Sequence, residues 1–501
     1  MAKKLYVMFV VMMVALIITL PASAGMSGSG VSGIQIQNLS DTDSASVDVL
    51  LYNTDGSAPI TISAEGGDSI NPSAAKNYYL PTIPAVPNGS FSMVAMSTLP
   101  VAAIARTDWS ATGGAAIYST VDPGTDVTVP LITGNYAKQT SQFSIQNTNT
   151  AAAINDVTIT LYGAGLAAPV KVLTNQPIPA GTSVTYTMAD AVWGTLPDTG
   201  WSAGLGAHGF VGSVKITSAT ELVVQSFIDL AGSPGVSGFS GVPTASAATD
   251  VYCPLIRANY YGDTGISLVN PTNADIDATI TFYADAGSPH TGTYTEDVVV
   301  PANSSAISFQ GPGGSSRAAG LPGGSQTPAN PTPTNNGFYG VAAIHGDGNL
   351  MAVVNDTLFG AGWSVKNAGT YNCVASDAGG TSFALPLVRR YHLSSVKLTT
   401  GIQIQNLTAS PVTVHLELFN WDGSSQSASN PPDVVIPANG SGNYWNGNLT
   451  GLPTVPPSAG GYGWYGSAVL TSTGAVVAVV NDSGFGATLV DAANYNALKM
   501  P

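Results

Sequence analysis

Along most of this chain apolar and polar residues alternate one for one, the pattern of strands with one face buried and the other exposed. Gly33-Ile-Gln-Ile-Gln-Asn38 puts Ile34 and Ile36 on one face and Gln35 and Gln37 on the other. Val157-Thr-Ile-Thr-Leu-Tyr162 likewise sets Val157, Ile159 and Leu161 against threonines. Clusters of Gly, Pro, Asn and Asp interrupt these runs every 8 to 12 residues or so, the spacing of turns in an all-β sandwich or barrel. No convincing helical period survives beyond the N-terminal segment.

The pattern repeats. Gly33–Asn38 recurs unchanged as Gly401-Ile-Gln-Ile-Gln-Asn406, with Phe143-Ser-Ile-Gln-Asn147 and Gly265-Ile-Ser-Leu-Val-Asn270 between them, a period of roughly 123 residues that signals tandem domains. Each copy then carries an alternating strand that runs into a Gly-bearing turn, as in Val412–Phe419 followed by Asn420-Trp-Asp-Gly423. A second marker follows: Ile178-Pro-Ala-Gly-Thr-Ser183, Val300-Pro-Ala-Asn-Ser-Ser305 and Ile436-Pro-Ala-Asn-Gly-Ser441, with Ile70-Asn-Pro-Ser as a weaker match. A late hairpin is expected after it, from Gly337–Ile344 with Leu350–Asp356 and from Gly463–Leu470 with Ala475–Asp482. Pro130-Leu-Ile, Pro254-Leu-Ile and Pro386-Leu-Val read as short stiff connections between copies. The expected organisation is a leader over 1–24 and β-sandwich repeats over 25–129, 130–253, 254–385 and 386–501, joined as a semi-rigid rod. The first copy lacks a Pro-Leu-Ile segment and the last stops at Lys499-Met-Pro501, a pattern that fits a frayed terminus or, as the alternative, an edge open to strand addition from another chain.

Met1-Ala-Lys-Lys, the apolar run Leu5–Leu20 and Pro21-Ala-Ser-Ala24 form a secretory signal pattern with cleavage after Ala24; an uncleaved anchor is the alternative. No later stretch is long and apolar enough to span a membrane, so the mature chain is expected to be secreted or on the cell surface. In that setting Cys253 and Cys373, at the two ends of the third copy, are expected to form a disulfide.

Composition narrows the partners. The chain has 14 Lys plus Arg against 29 Asp plus Glu, a net charge of −15, so binding to nucleic acid or to anionic membranes through basic patches is disfavoured. Only 9% of its residues are charged, against about 25% in ordinary domains, a balance that suits closely packed lattices.

Candidate chemistry is sparse. Gly200-Trp-Ser-Ala-Gly204 fits the nucleophile-elbow string around Ser202, with His208 nearby, but lacks the strand–helix context an elbow needs. Leu196-Pro-Asp-Thr-Gly200 matches a sortase pentapeptide without the hydrophobic stretch and basic tail that such a signal requires. His208, His290, His345, His392 and His415 show no zinc spacing. Asp41, Asp43, Asp55, Asp347 and Asp422 could offer oxygens to calcium, and the same residues suit hairpin turns. Trp421, Tyr444, Trp445, Tyr462, Trp464 and Tyr465 gather in the last copy, where flat rings could stack on sugars or pack a core. Sequons include Asn38, Asn406 and Asn481. No enzyme, catalytic residue or cofactor is expected.

Taken together, the Ile-Gln-Ile-Gln-Asn strand, the Val-Thr-Ile-Thr-Leu-Tyr strand, the Ile-Pro-Ala-Gly turn and the Pro-Leu-Ile junction resemble the tandem Ig-like β-sandwich repeats of secreted bacterial surface proteins. The resemblance implies a non-enzymatic structural protein of the cell envelope that self-associates into a surface layer, sheath or filament. Its alternative is an adhesin or carbohydrate-binding protein that uses the C-terminal aromatic residues.

Overall fold

The computed structural model describes residues 14–19, 30–109, 114–120, 122–136, 139–199, 209–230, 236–260, 262–311, 320–322, 337–359, 365–456, 461–484 and 492–501. Every regular element longer than a single turn is a strand, and every strand pairing is antiparallel. The pairings fall into four groups that repeat one plan.

The second group shows the plan in full. Its lead strand, Gly124–Tyr136, pairs with the first half of a 21-residue strand, Phe210–Leu230, which also pairs with Ile154–Gly163, and that in turn with Pro169–Ile178. The second half of Phe210–Leu230 pairs with Gln139–Asn147 and with the closing strand Val236–Ser240, while Ser183–Thr187 completes the second sheet beside Gln139–Asn147. One long strand therefore crosses between both sheets of a sandwich. Phe338–Phe359 and Trp464–Gly484 do the same in the third and fourth groups, with lead strands Ala248–Ala258 and Gly380–Arg390 and closing strands Val365–Asn372 and Ala492–Asn496. The two halves expected to form a late hairpin do not pair with each other; they are one strand that changes sheet. In the first group the long strand is split into Phe91–Ser97 and Val101–Trp109, with Pro100, which has no N–H to donate, at the break.

The Pro-Leu-Ile segments, expected as connections, lie inside the lead strands. Proline is tolerated there because the register shifts beside it, between Val129 and Ile132, Cys253 and Ile256, and Leu385 and Val388. The first group fills the same place differently. Val14–Thr19, within the expected leader, pairs antiparallel with Phe91–Ser97 over six residues.

Each sandwich core is the apolar face that alternation predicts. Ile34 and Ile36 meet Val47, Val49 and Leu51 in the first, and Ile402 and Ile404 meet Val414, Leu416 and Leu418 in the fourth. The asparagine that ends the Ile-Gln-Ile-Gln-Asn motif is a staple in all four copies. Asn38, Asn147, Asn270 and Asn406 are buried, donate Nδ2 to the carbonyls of Ile70, Ile178, Val300 and Ile436, and accept from the backbone N–H two residues on. The stapled turn needs a positive φ, found at Ser73, Gly181, Asn303 and Asn439. The weak Ile70-Asn-Pro-Ser match is thus a true counterpart. Asn38 and Asn406, two of the sequons, have their amides committed inside the fold.

The four groups do not form a rod. The closing strand Gly114–Ser119 packs on Val236–Ser240, that strand on Val365–Asn372, that on Ala492–Asn496, and Ala492–Asn496 returns to Gly114–Ser119. The chain closes into a ring. The reason lies in the face of the Ile-Gln-Ile-Gln strands that alternation assigns to solvent. Gln37, Gln146 and Gln405 occupy one position of the repeat and are almost completely buried. Each donates to an equivalent carbonyl of the preceding unit: Gln146 to Met93 (3.4 Å), Gln405 to Ala342 (3.2 Å) and Gln37 to Ala468 (3.3 Å). The joint between the fourth and first units is therefore built like the joints between neighbours in sequence. Apolar residues on the same outer face follow suit: Ile104 enters the core of the fourth unit, Phe227 that of the first, Val353 that of the second and Val479 that of the third. A sheet with two buried faces has little place for charge, so much of the chain's low charge content serves joints within one molecule.

Candidate functional site

The ring axis carries the most distinctive site. A cavity of about 610 Å³ lies where the four closing strands converge, walled by Ile117–Thr120, Gly238–Pro243, Thr370–Ala375 and Asn494–Asn496. The alternation of each closing strand decides what it shows the axis. Tyr118, Phe239, Tyr371 and Tyr495 share one position and are buried; the Tyr371 and Tyr495 hydroxyls donate to the carbonyls of Leu255 and Leu387 in their lead strands, at 2.7 and 2.6 Å. Burial raises both hydroxyls well above their ordinary range, so they remain protonated donors.

The next residue of each closing strand, Ser119, Ser240, Asn372 or Asn496, stitches the ring. Ser240 Oγ donates to the Ser119 carbonyl (3.0 Å), Asn372 Nδ2 to that of Ser240 (2.8 Å) and Asn496 Nδ2 to that of Asn372 (2.7 Å). Two further polar atoms at this wall, Asn494 Nδ2 and Asn372 Oδ1, are buried without a hydrogen-bond partner. Asp122, Asp377 and Lys499 are the charged residues of the lining, and Lys499 Nζ donates to the Asp377 carbonyl at 3.2 Å. The cavity wall is mixed: apolar side chains such as Ile117, Val242 and Met351 alternate with hydroxyl and amide groups, and two carboxylates and one ammonium stand in the lining.

The joint between the fourth and first units holds a buried charge cluster. Arg106 Nη1 and Arg389 Nη1 lie 2.9 and 2.8 Å from Asp482 Oδ2, and Thr400 Oγ1 donates to Asp482 Oδ1 at 3.2 Å. The Asp482 side chain has no exposure, and that of Arg106 only 5%. Alternation gave no sign of this cluster; charged residues on strands otherwise lacking charge were the only available signal.

The residues singled out from sequence fare unevenly. Cys253 and Cys373 are joined in a disulfide that ties the third lead strand to the segment after its closing strand. Of the aromatic residues of the last unit, Tyr444 and Trp464 are core residues, with Tyr444 Oη donating to Val414 O and Trp464 Nε1 to Asn420 Oδ1, while Trp421 and Trp445 are half-buried and Tyr462 is exposed. Asp55 and Asp422 accept backbone N–H bonds from Ser57 and Ser424, which hold both carboxyls below the usual range, and Asp347 accepts from the N–H of Asp277. The bonds of Asp55 and Asp422 are turn chemistry, whereas that of Asp347 links two strands. Among the described residues no group of three or more His, Cys, Asp and Glu is placed to hold a metal. His345 and His415 pair with Asp250 and Asp433 at the surface, and His392 packs beside Tyr465. Ser202, His208 and Gly200 lie outside the described residues.

Fold and site together define an all-β protein of repeated antiparallel sheets with one disulfide. No protein family and no curated protein matches the chain. Among solved structures, Thermotoga maritima 1070 aligns over 24% of this chain and 97% of its own at 12% identity and a TM-score of 0.20. The Anabaena sensory rhodopsin transducer covers 20% of this chain and 92% of its own, at 15% identity and a TM-score of 0.15. The partial N-terminal region of an enterococcal surface protein aligns over 80% of this chain and 90% of its own, at 9% identity and a TM-score of 0.17.

Proposed function

We propose that the chain is a non-enzymatic structural protein of the cell surface, exported by its N-terminal signal and deployed as a compact ring-shaped building block of an envelope layer, sheath or filament. The observation that carries this reading is the ring itself: four sandwiches whose outer faces, uncharged apart from one buried cluster, are used up in joints, locked by buried hydrogen bonds and one disulfide. The construction favours persistence outside the cell over turnover chemistry. Export is tested by locating the protein in cell fractions and reading its N-terminus by mass spectrometry. Assembly is tested by electron microscopy of the purified protein at rising concentration, where ordered polymers support the reading and monodisperse particles at every concentration refute it.

The unpartnered Asn494 and Asn372 amide atoms favour a second reading, in which the axial hollow takes a neutral polar ligand such as a surface glycan. Binding on a glycan array that survives Trp445→Ala and disappears in Asn494→Leu supports that reading; loss with Trp445→Ala alone refutes it.

A further inference from the structure

In three units the lead strand is covalently continuous with the closing strand before it: Gly114–Ser119 leads into Gly124–Tyr136, Val236–Ser240 into Ala248–Ala258, and Val365–Asn372 into Gly380–Arg390. Each such strand is central to its unit's core. Val127, Val129, Leu131 and Ile132 are buried in the second, Val251, Cys253, Leu255 and Ile256 in the third, and Phe383, Leu385, Leu387 and Val388 in the fourth. The first unit receives no strand from a preceding unit, and the segment in that place is Val14–Thr19, of sequence VALIIT, paired from Val14↔Ser97 to Thr19↔Ser92. That segment lies ahead of the expected cleavage point at Ala24. Removing the leader takes the lead strand with it and lays open the backbone edge of Phe91–Ser97, above a core that includes Met93 and Ala95.

We infer that the edge of Phe91–Ser97 is a strand-acceptor slot, and that in the processed protein it takes an extended, uncharged, predominantly apolar strand donated by a separate partner polypeptide. The chemistry of the occupant is set by what the slot holds here and by what its three counterparts hold: a run of Val, Leu and Ile, antiparallel to the acceptor, free of Lys, Arg, Asp and Glu where it crosses the core. Main-chain hydrogen bonds supply affinity in strand addition, and the side-chain seats supply selectivity. Tyr118 stands in the first unit where Tyr371 and Tyr495 bond the backbone of their lead strands, and is buried, but with Val14–Thr19 in the slot its hydroxyl makes no such bond. Among the described residues after Ala24 the apolar strands are already paired within the four units, which assigns the donor to another polypeptide.

The inference rests on export and processing, and its test separates the two. The secreted protein is purified from the medium, its N-terminus is read by mass spectrometry, and it is titrated with a fluorescent peptide of residues 14–19 flanked by solubilising lysines, followed by anisotropy. A peptide carrying Leu16→Asp and Ile18→Asp is the control. Saturable binding of the first peptide, at least tenfold weaker for the second, supports the slot. A processed chain that melts cooperatively yet binds neither peptide overturns it. So does a secreted chain still bearing residues 14–19, because the slot is then permanently filled. Self-association that the peptide suppresses puts a second copy in the slot and overturns the assignment to a separate partner. A chain found only inside the cell defeats the export reading instead.

Discussion

Closure of the ring can be tested at the one joint that covalent connection does not enforce. Asp482 lies between Arg106 of the first unit and Arg389 of the fourth, fully shielded from water. Asp482→Asn keeps the shape but removes the counter-charge that Arg106 and Arg389 share in a poorly hydrated interface, leaving Arg106 its second partner, the part-exposed Asp108. Breaking a buried pair by removing one partner costs about 3–5 kcal/mol. Arg106→Leu is the milder probe, because Asp482 keeps Arg389 and Thr400; the loss is one buried charge-assisted hydrogen bond, about 1.5–3 kcal/mol, together with the pair to part-exposed Asp108, which adds about 0–1 kcal/mol. Asp356→Asn removes the partner of Arg257 within the third unit, where the two lie 3.4 Å apart, and serves as the control. Urea unfolding followed by tryptophan fluorescence gives the energies, and small-angle X-ray scattering gives the shape. A compact chain of this length has a radius of gyration of about 23 Å, whereas four sandwiches in line, each built on strands of about ten residues at about 3.3 Å per residue, give roughly 40 Å. The expected result is a compact native protein, destabilised by all three substitutions and expanded at partial denaturation only by the two at the joint. A native radius near the larger value, or an Asp482→Asn protein within about 0.5 kcal/mol of the parent, refutes the ring.

Three further outcomes follow from the same structure. Asn406→Ala strips hydrogen bonds from the carbonyls of Ser410, Ile436 and Pro437 and should cost on the order of 3 kcal/mol, read as a lower thermal midpoint; an unchanged midpoint would show that the staple is ornamental. Replacing Cys253 and Cys373 by serine should cost about 2–5 kcal/mol in denaturant, and reducing agent should destabilise the parent but not the variant. Burial pushes the Glu296 carboxyl up to about 7 against the bond it accepts from Ser308 Oγ. Its folded value lies above its unfolded one, so its contribution is fully present at acid pH and declines as pH rises from the ordinary carboxylate range through 7. Glu296→Gln should flatten that decline in chemical-denaturation curves taken from pH 4 to 8, and a variant with the parent's pH profile would exclude this carboxyl as its source.

Period-2 alternation made the cores legible, because the inward residues of Ile34–Ile36 and Val157–Leu161 are under the same constraint in any sandwich. The motif asparagines were visible as repeats, yet their role was not, since a staple to a turn some 30 residues away leaves no local mark. The outward face was misread for a physical reason: glutamine is polar in any sequence reading, but a neutral amide that finds a carbonyl can be buried at modest cost, whereas Lys or Glu could not have occupied positions 37, 146 and 405. Their absence there was the available clue. The late hairpin was misread because Gly346 and Gly348, like Gly474, look like turn residues when they mark the bend of a single strand. Within the aromatic cluster Trp464 and Tyr444 supply core volume and a hydrogen bond at once, and composition alone does not separate such residues from those of an exposed face.

The glutamine-to-carbonyl joint has a consequence for how such a molecule arises. A head-to-tail joint that runs in the same sense around four units, with the glutamine bond kept at three of its four steps, needs only one kind of subunit, so four separate copies of a glutamine-bearing sandwich would assemble in the same way. Tethering them in one polypeptide releases each copy from having to match the others. Val269 stands where three units keep glutamine, Arg106 brings a charge to one corner alone, and the hollow on the axis presents four unlike walls in place of four identical ones. A guest seated there need not share the symmetry of its host.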